Sequence, residues 1–210
     1  RRTRSKGKSC SSSSRTTAAY AARAGLACVI FTLESVPDPM KTLMQAYGAA
    51  VVACPTAEAR WRLMREGVER LGWYPTSGYV SPPVGSNPWG VEGYKTIAYE
   101  IYLQLGRRLP RRVLVPTAGG DAVYGPWKGF RELRALGVTE ALPAMVAVQA
   151  AGCDPIVAAW RRGAREVGVH PAPRTVALSI GDPTGGPGAL SAVYESGGSA
   201  EAVTDEAIGA

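Results

Sequence analysis

The stretch VLVPTAGGDAVYGPWKGF, residues 113–130, carries an apolar run into Thr117, Ala118, Gly119, Gly120 and Asp121, and then into a helical pattern. Small residues at a strand-to-helix turn let backbone N–H groups approach an anion. The helix N-terminus adds a favourable field of about 0.3 to 1 kcal/mol, and about 2 when partly buried. In physical terms this is a phosphate site. The same residues also suit a tight turn in which glycine supplies the dihedral angles and Asp121 caps the helix. Spacing alone leaves the two readings level. Two named phosphate motifs are excluded here, because G-x-G-x-x-G is absent and no G-K-[ST] follows.

Other candidates carry less. Gly7-Lys8-Ser9 invites a Walker reading, but the first glycine of that motif would fall at Arg2, with nothing strand-like before it. The single histidine, His170, lies in a Pro-containing connection with no Ser or Cys partner in a triad arrangement, which makes it a surface-loop residue. Glu132, Glu140, Asp154 and Glu166 fall on helix faces or loops, where solvated charge is the ordinary role. Cys10, Cys28, Cys54 and Cys153 are far apart and show no C-x-x-C, so neither a zinc site nor a disulfide scaffold is indicated.

Positioning that turn requires an ordered series of elements. Apolar runs alternate with helical stretches from residue 18 onward, the pattern of βαβ units around a parallel sheet. Strands are expected at 26–31, 49–54, 112–116 and 144–150. Helices are expected over PMKTLMQAYG, over TAEARWRLMREGVERLG with Trp61, Met64, Val68 and Leu71 on one face, and over 91–106, AVYGPWKGFRELRALG and PIVAAWRRG. No element is assigned between Arg174 and Gly198, and the last residues read as a strand followed by a helical turn capped by Thr204 or Asp205. Four prolines and three glycines within residues 73–90 mark a domain change. The expected organisation is a basic leader over 1–15, disordered or altered, a small α/β domain over 16–85, and part of a larger α/β domain over 86–210.

The formal charge of +7 is local. Residues 1–15 hold six bases and no acid, leaving 18 bases against 17 acids in the remainder. Without interleaved aromatic residues this is a solvated arm, so neither nucleic acid nor membrane is expected as a partner. No apolar run reaches the ~20 residues that cross a bilayer, and no secretory h-region is visible, which makes the cytoplasm the default location. The first residue is Arg, which fits a processed or partial chain.

Several stretches together resemble the threonine synthase branch of the fold type II pyridoxal-phosphate enzymes. They are AAYAARAGL, MQAYGAAVV, NPWGVEGYKTIAYEI, VPTAGGDAVYGPWKGFRELRALG, MVAVQAAGCDPIV and SIGDPTGGPGAL, and they cover nearly all of residues 18–205. The resemblance implies a two-domain α/β architecture of parallel sheets with flanking helices, incomplete here at both ends. It also implies pyridoxal 5'-phosphate in the cleft, with its phosphate held by Thr117, Ala118, Gly119, Gly120 and Asp121. Gly181 falls where such enzymes bring a backbone edge toward the cofactor ring. The implied reaction converts O-phosphohomoserine to threonine and phosphate, with a phosphorylated amino acid as the small-molecule partner and a homodimer as the candidate assembly. A serine or threonine dehydratase, or a non-catalytic binder of a phosphate ligand, is the alternative.

The resemblance also implies losses. The family's Schiff-base lysine lies in a Ser-Phe-Lys-Asp-Arg-like stretch that does not occur here, and the five lysines are Lys6, Lys8, Lys41, Lys95 and Lys128. No catalytic residue is therefore assigned, and an inactive interior piece is expected. The family's Ser-Ser-Gly-Asn-Thr loop should fall at Ser9, Cys10, Ser11, Ser12 and Ser13, which assigns Ser9, Ser11 and Ser13 to substrate and Ser12 to the cofactor. Ser12 stands where the family has Asn, and its shorter hydroxyl reaches less far than an amide.

Overall fold

The protein is described by a computed structural model covering residues 8–11, 15–79 and 87–209. It divides into two compact units, Arg1–Pro82 and Pro83–Ala210.

The first unit is a four-stranded parallel sheet of β1 (Lys8–Ser11), β2 (Ala27–Leu33), β3 (Ala50–Cys54) and β4 (Tyr74–Pro75), in the order β3-β2-β1-β4. Three helices accompany it, α1 (Arg15–Arg23), α2 (Asp38–Ala46) and α3 (Ala57–Leu71). Successive strand residues face opposite ways, so Ile30 and Phe31 enter different clusters. Ile30 packs with Ala18, Ala21 and Met44, and Phe31 with Cys54 and Met64. Both faces of β2 are covered, which is why it reads as one apolar run. On α3, Met64 and Val68 join the core as expected, whereas Leu71 ends the helix 64% exposed. The expected leader differs from what is found. Lys8–Ser11 pair with β2, and Ser9 and Cys10 also with β4, so this part of residues 1–15 belongs to the sheet.

The second unit has a three-stranded parallel sheet of β5 (Arg112–Pro116), β6 (Ala144–Ala150) and β7 (Ser199–Val203), with β6 in the middle. Its helices are α4 (Pro88–Gln104), α5 (Asp121–Ala135), α6 (Pro155–Arg161), α7 (Pro187–Glu195) and α8 (Asp205–Ile208). Val123, Trp127 and Phe130 of α5 pack against Met145 and Ala147 of β6, Ile156 of α6 and Leu190 of α7 in one core. Burying each large side chain contributes about 1.5 to 3 kcal/mol.

Helices α4 and α5 meet through glycine. A Cβ on Gly125 would lie 2.2 Å from the Tyr94 Cβ, and one on Gly129 would lie 2.8 Å from that of Ala98. Larger residues would force the helices apart. Helix α4 starts at Pro88, earlier than its apolar pattern indicates. Asn87 caps it by accepting from the Gly90 N–H at 2.9 Å, and Pro88 suits the first turn. Thr204 caps α8, accepting from Ala207 N–H at 3.3 Å. Among the described residues no helix is long and apolar enough to cross a membrane.

Candidate functional site

Strand β5 ends at Pro116, and five residues later the chain is already helical in α5. Gly120 makes the turn with φ +109°, a left-handed conformation that disfavours any side chain, and a Cβ there would lie 2.6 Å from the Ala189 Cβ. Glycine is needed on both counts. Gly119, Gly120 and Asp121 form one wall of a cavity of about 330 Å³, and Gly186 to Ala189, at the start of α7, form the other. Val91, Tyr124 and Ser191 complete the lining.

The main chain of this turn is anchored through its carbonyls. Gly119 O accepts from Gly186 N–H at 2.7 Å, and Thr117 O and Ala118 O both face the side-chain amide of Gln149. The N–H groups of Ala118, Gly119 and Gly120 donate to no acceptor among the described residues. Three successive unpaired amides at the start of a fifteen-residue helix are the kind of donor set that can receive an anion. Ser191 adds no donor, since its hydroxyl donates to Glu195 at 2.6 Å. That bond, with the Trp127 indole N–H and Arg131 also on the carboxylate, holds Glu195 below the ordinary carboxylate range.

The expected site residues are distributed unevenly. Gly119, Gly120 and Asp121 line the cavity. Thr117 is fully buried with its hydroxyl donating to Val115 O at 2.6 Å, so it shapes the turn and offers nothing to the cavity. Gly181 follows the 3₁₀ turn Leu178–Ile180 and is not among the lining residues. Its neighbour Asp182 comes closer, with Oδ2 3.5 Å from where a Gly119 Cβ would stand. Asp182 is held by Thr184, whose N–H and hydroxyl donate to Oδ1 at 3.0 and 2.9 Å, and by the Cys153 thiol, which donates to its carbonyl at 3.2 Å. Burial pushes that thiol above its ordinary value. Ser9 and Ser11 lie in β1 of the other unit, and Ser12 and Ser13 lie outside the described residues. The wall at Gly186 to Ala189 is the part that sequence reasoning missed, although GGPGA has the small-residue composition of a close backbone approach.

The lysines with described side chains are engaged elsewhere. Lys95 pairs with Glu132 at 2.7 Å and also with Glu92, and Lys128 pairs with Glu92. Glu132 also accepts from the Tyr99 hydroxyl at 2.5 Å. These contacts raise Lys95 above the ordinary lysine value, chiefly through Glu132, and lower Glu132, chiefly through Lys95. Glu92 is lowered too, by Lys128 first and Lys95 second. Lys41 pairs with Asp38 at 2.9 Å in the first unit. Among the described residues no group of His, Cys, Asp and Glu could hold a metal ion.

A sequence profile for pyridoxal-phosphate dependent enzymes matches residues 6–210. The chain belongs to this family. Within it the chain is threonine synthase-like, being 39% identical over 197 residues to the threonine synthase of Methanocaldococcus jannaschii, a match covering 91% of this chain and 46% of that protein. It is 45% identical over 124 residues to the threonine synthase of Methanosarcina acetivorans, covering 58% of this chain and 31% of the relative. The chain therefore spans less than half the length of these two curated relatives. The family's fold is also that of the T.th. threonine deaminase, with a TM-score of 0.76 at 24% identity over 96% of this chain and 62% of that one. A fungal L-serine ammonia-lyase from Rhizomucor miehei gives a TM-score of 0.78 at 19% identity, over 97% and 62%.

Pyridoxal phosphate is the family's cofactor, and the cradle suits its phosphate. The unpaired amides of Ala118, Gly119 and Gly120 would hold the phosphate oxygens, and the absence of a Cβ at Gly119 and Gly120 lets the backbone come close.

Proposed function

We propose that this chain holds pyridoxal 5'-phosphate by its phosphate at Ala118 to Asp121, and that it derives from an enzyme turning O-phosphohomoserine into threonine and phosphate. The carrying observation is the run of three unpaired amides, at Ala118 and at Gly119 and Gly120, the last two of which line a cavity walled by small residues. The curated relatives named threonine synthase support the substrate class. When bound, the cofactor supplies an electron sink for chemistry at carbons next to an amino group. The chain's own part is to fix the phosphate with neutral main-chain donors, which leaves the ring to be placed by other residues. A homodimer and a phosphorylated amino acid as ligand belong to the same reading.

The 210 residues by themselves are expected to bind the cofactor and not to turn over substrate. Lys41, Lys95 and Lys128 are all committed to carboxylates, Lys8 belongs to β1 of the first unit, and Lys6 lies outside the described residues. This pairing favours the second reading, a non-catalytic binder of a phosphate ligand. The test is to add pyridoxal phosphate, follow visible absorbance, reduce with borohydride and map the labelled peptide. Saturable binding without a labelled lysine is expected. A single labelled lysine with release of phosphate from O-phosphohomoserine would overturn the claim of inactivity. Ammonia and a keto acid from serine or threonine would point instead to a dehydratase.

A further inference from the structure

Gln149 is the one strongly polar side chain in β6 and is completely buried, with 0% exposure. We infer that it is a positioning residue that aims the amides of Ala118 and Gly119 into the cavity, an inference resting on the phosphate reading of that turn.

The side-chain amide has its orientation fixed at one end. Its Oε1 accepts from Ile156 N–H at 2.9 Å and Val157 N–H at 3.3 Å, two of the first amides of α6, which have no carbonyl partner within their own helix. With the oxygen committed there, the NH₂ group faces the turn. It stands 3.4 Å from Thr117 O and 3.4 Å from Ala118 O, at the long end of hydrogen bonding, with one hydrogen for each carbonyl. The carbonyl and N–H of a trans peptide unit point in opposite directions. Drawing the Thr117 carbonyl inward therefore turns the Ala118 N–H away from the core, and drawing the Ala118 carbonyl inward does the same for the Gly119 N–H. Gly119 O is held separately, accepting from Gly186 N–H at 2.7 Å. Gln149 thus spends its whole hydrogen-bonding capacity joining α6 to the turn. A residue serving only to fill buried space would leave the direction of these amides unaffected.

The test compares inorganic phosphate, pyridoxal 5'-phosphate and pyridoxal on the full ¹⁵N-labelled chain and on Gln149→Met, which is of similar length and neither donates nor accepts strongly. In the wild-type chain the amide protons of Ala118 and Gly119 should move downfield with inorganic phosphate and pyridoxal phosphate, and stay in place with pyridoxal. In a folded Gln149→Met the Kd for both phosphate ligands should rise at least about tenfold, the size expected from losing one or two hydrogen bonds to a charged group. Binding of pyridoxal should be unchanged. Phosphate affinity within about twofold of wild type, or an equal loss for pyridoxal, overturns the role of Gln149 while leaving the cradle standing. Should Gln149→Met not fold, the wild-type spectra decide, since phosphate binding that leaves both amides unmoved overturns the inference. Absence of phosphate binding by the wild-type chain sinks the inference together with the cradle reading.

Discussion

Two regions of the second unit handle charge in opposite ways. The turn from Thr117 to Asp121 has no cationic side chain and offers main-chain amides, its carbonyls held by Gln149 on one side and by Gly186 across the cavity. A short distance along the same helix, Glu92, Lys95, Tyr99, Lys128 and Glu132 build a side-chain network between α4 and α5. The first leaves its donors open, and the second engages its cations fully with carboxylates. Lysines near the proposed phosphate site are thus no guide to its ligand, because the network already neutralises them.

The sharpest way to break this contrast is Gly120→Val. A side chain at φ +109° costs about 1 to 3 kcal/mol of backbone strain before the collision with Ala189 is counted. Thermal stabilisation by phosphate should disappear, and a retained shift would show that the anion binds elsewhere. Asp182→Asn should act in the other direction. Removing a negative charge beside Gly119 relieves repulsion of about 1 kcal/mol at a partly screened site, so phosphate should bind roughly fivefold more tightly. Equal Kd values by calorimetry would place the carboxylate outside the anion's field.

Acid separates the two regions further. Glu92 and Glu132 both titrate below their ordinary value of 4.5 in the folded protein. Their contribution is complete above that value and is lost as the pH falls through the lower folded values, because the unfolded chain then binds more protons. Urea midpoints should fall between about pH 5 and pH 3, and a flat profile would deny the network any part in stability. The smallest effect is expected for Glu132→Gln. Its surroundings are partly solvated, so the loss should stay below about 1 kcal/mol with no change in phosphate affinity. A large loss of phosphate binding in this variant would mean that the two regions are coupled.

Much of this organisation is legible in the sequence, for reasons that differ by element. Strands β5 and β6 are readable to the residue, as RVLVP and AMVAVQA, β6 because a strand covered on both faces becomes an apolar run and β5 as a short β-branched run at the sheet edge whose Leu114 stays exposed. Strand β1 is not, since KSCS lacks that composition and is a strand only through its pairing with β2 and β4. Helix α7 is hidden by the Gly- and Pro-rich residues before it, which read as loop. The turn at Gly119 and Gly120 stands out because only glycine fits at Gly120, yet its opposite wall at Gly186 to Ala189 is distant in sequence and is brought near by the fold. Thr117 fits the family motif by type, but its hydroxyl is spent on Val115 O. A buried glutamine inside an apolar strand is a visible signal as well, because an interior amide requires partners.

The glycine contacts between α4 and α5 reach beyond packing. Val91 and Tyr124, each near the start of its helix, both line the cavity, and the close crossing at Gly125 and Gly129 fixes the spacing of those two helix starts. With the turn's carbonyls also tied down, an arriving phosphate meets a receptor that is already stiff. Little conformational entropy remains to be lost on binding, so calorimetry should show only a modest entropic penalty.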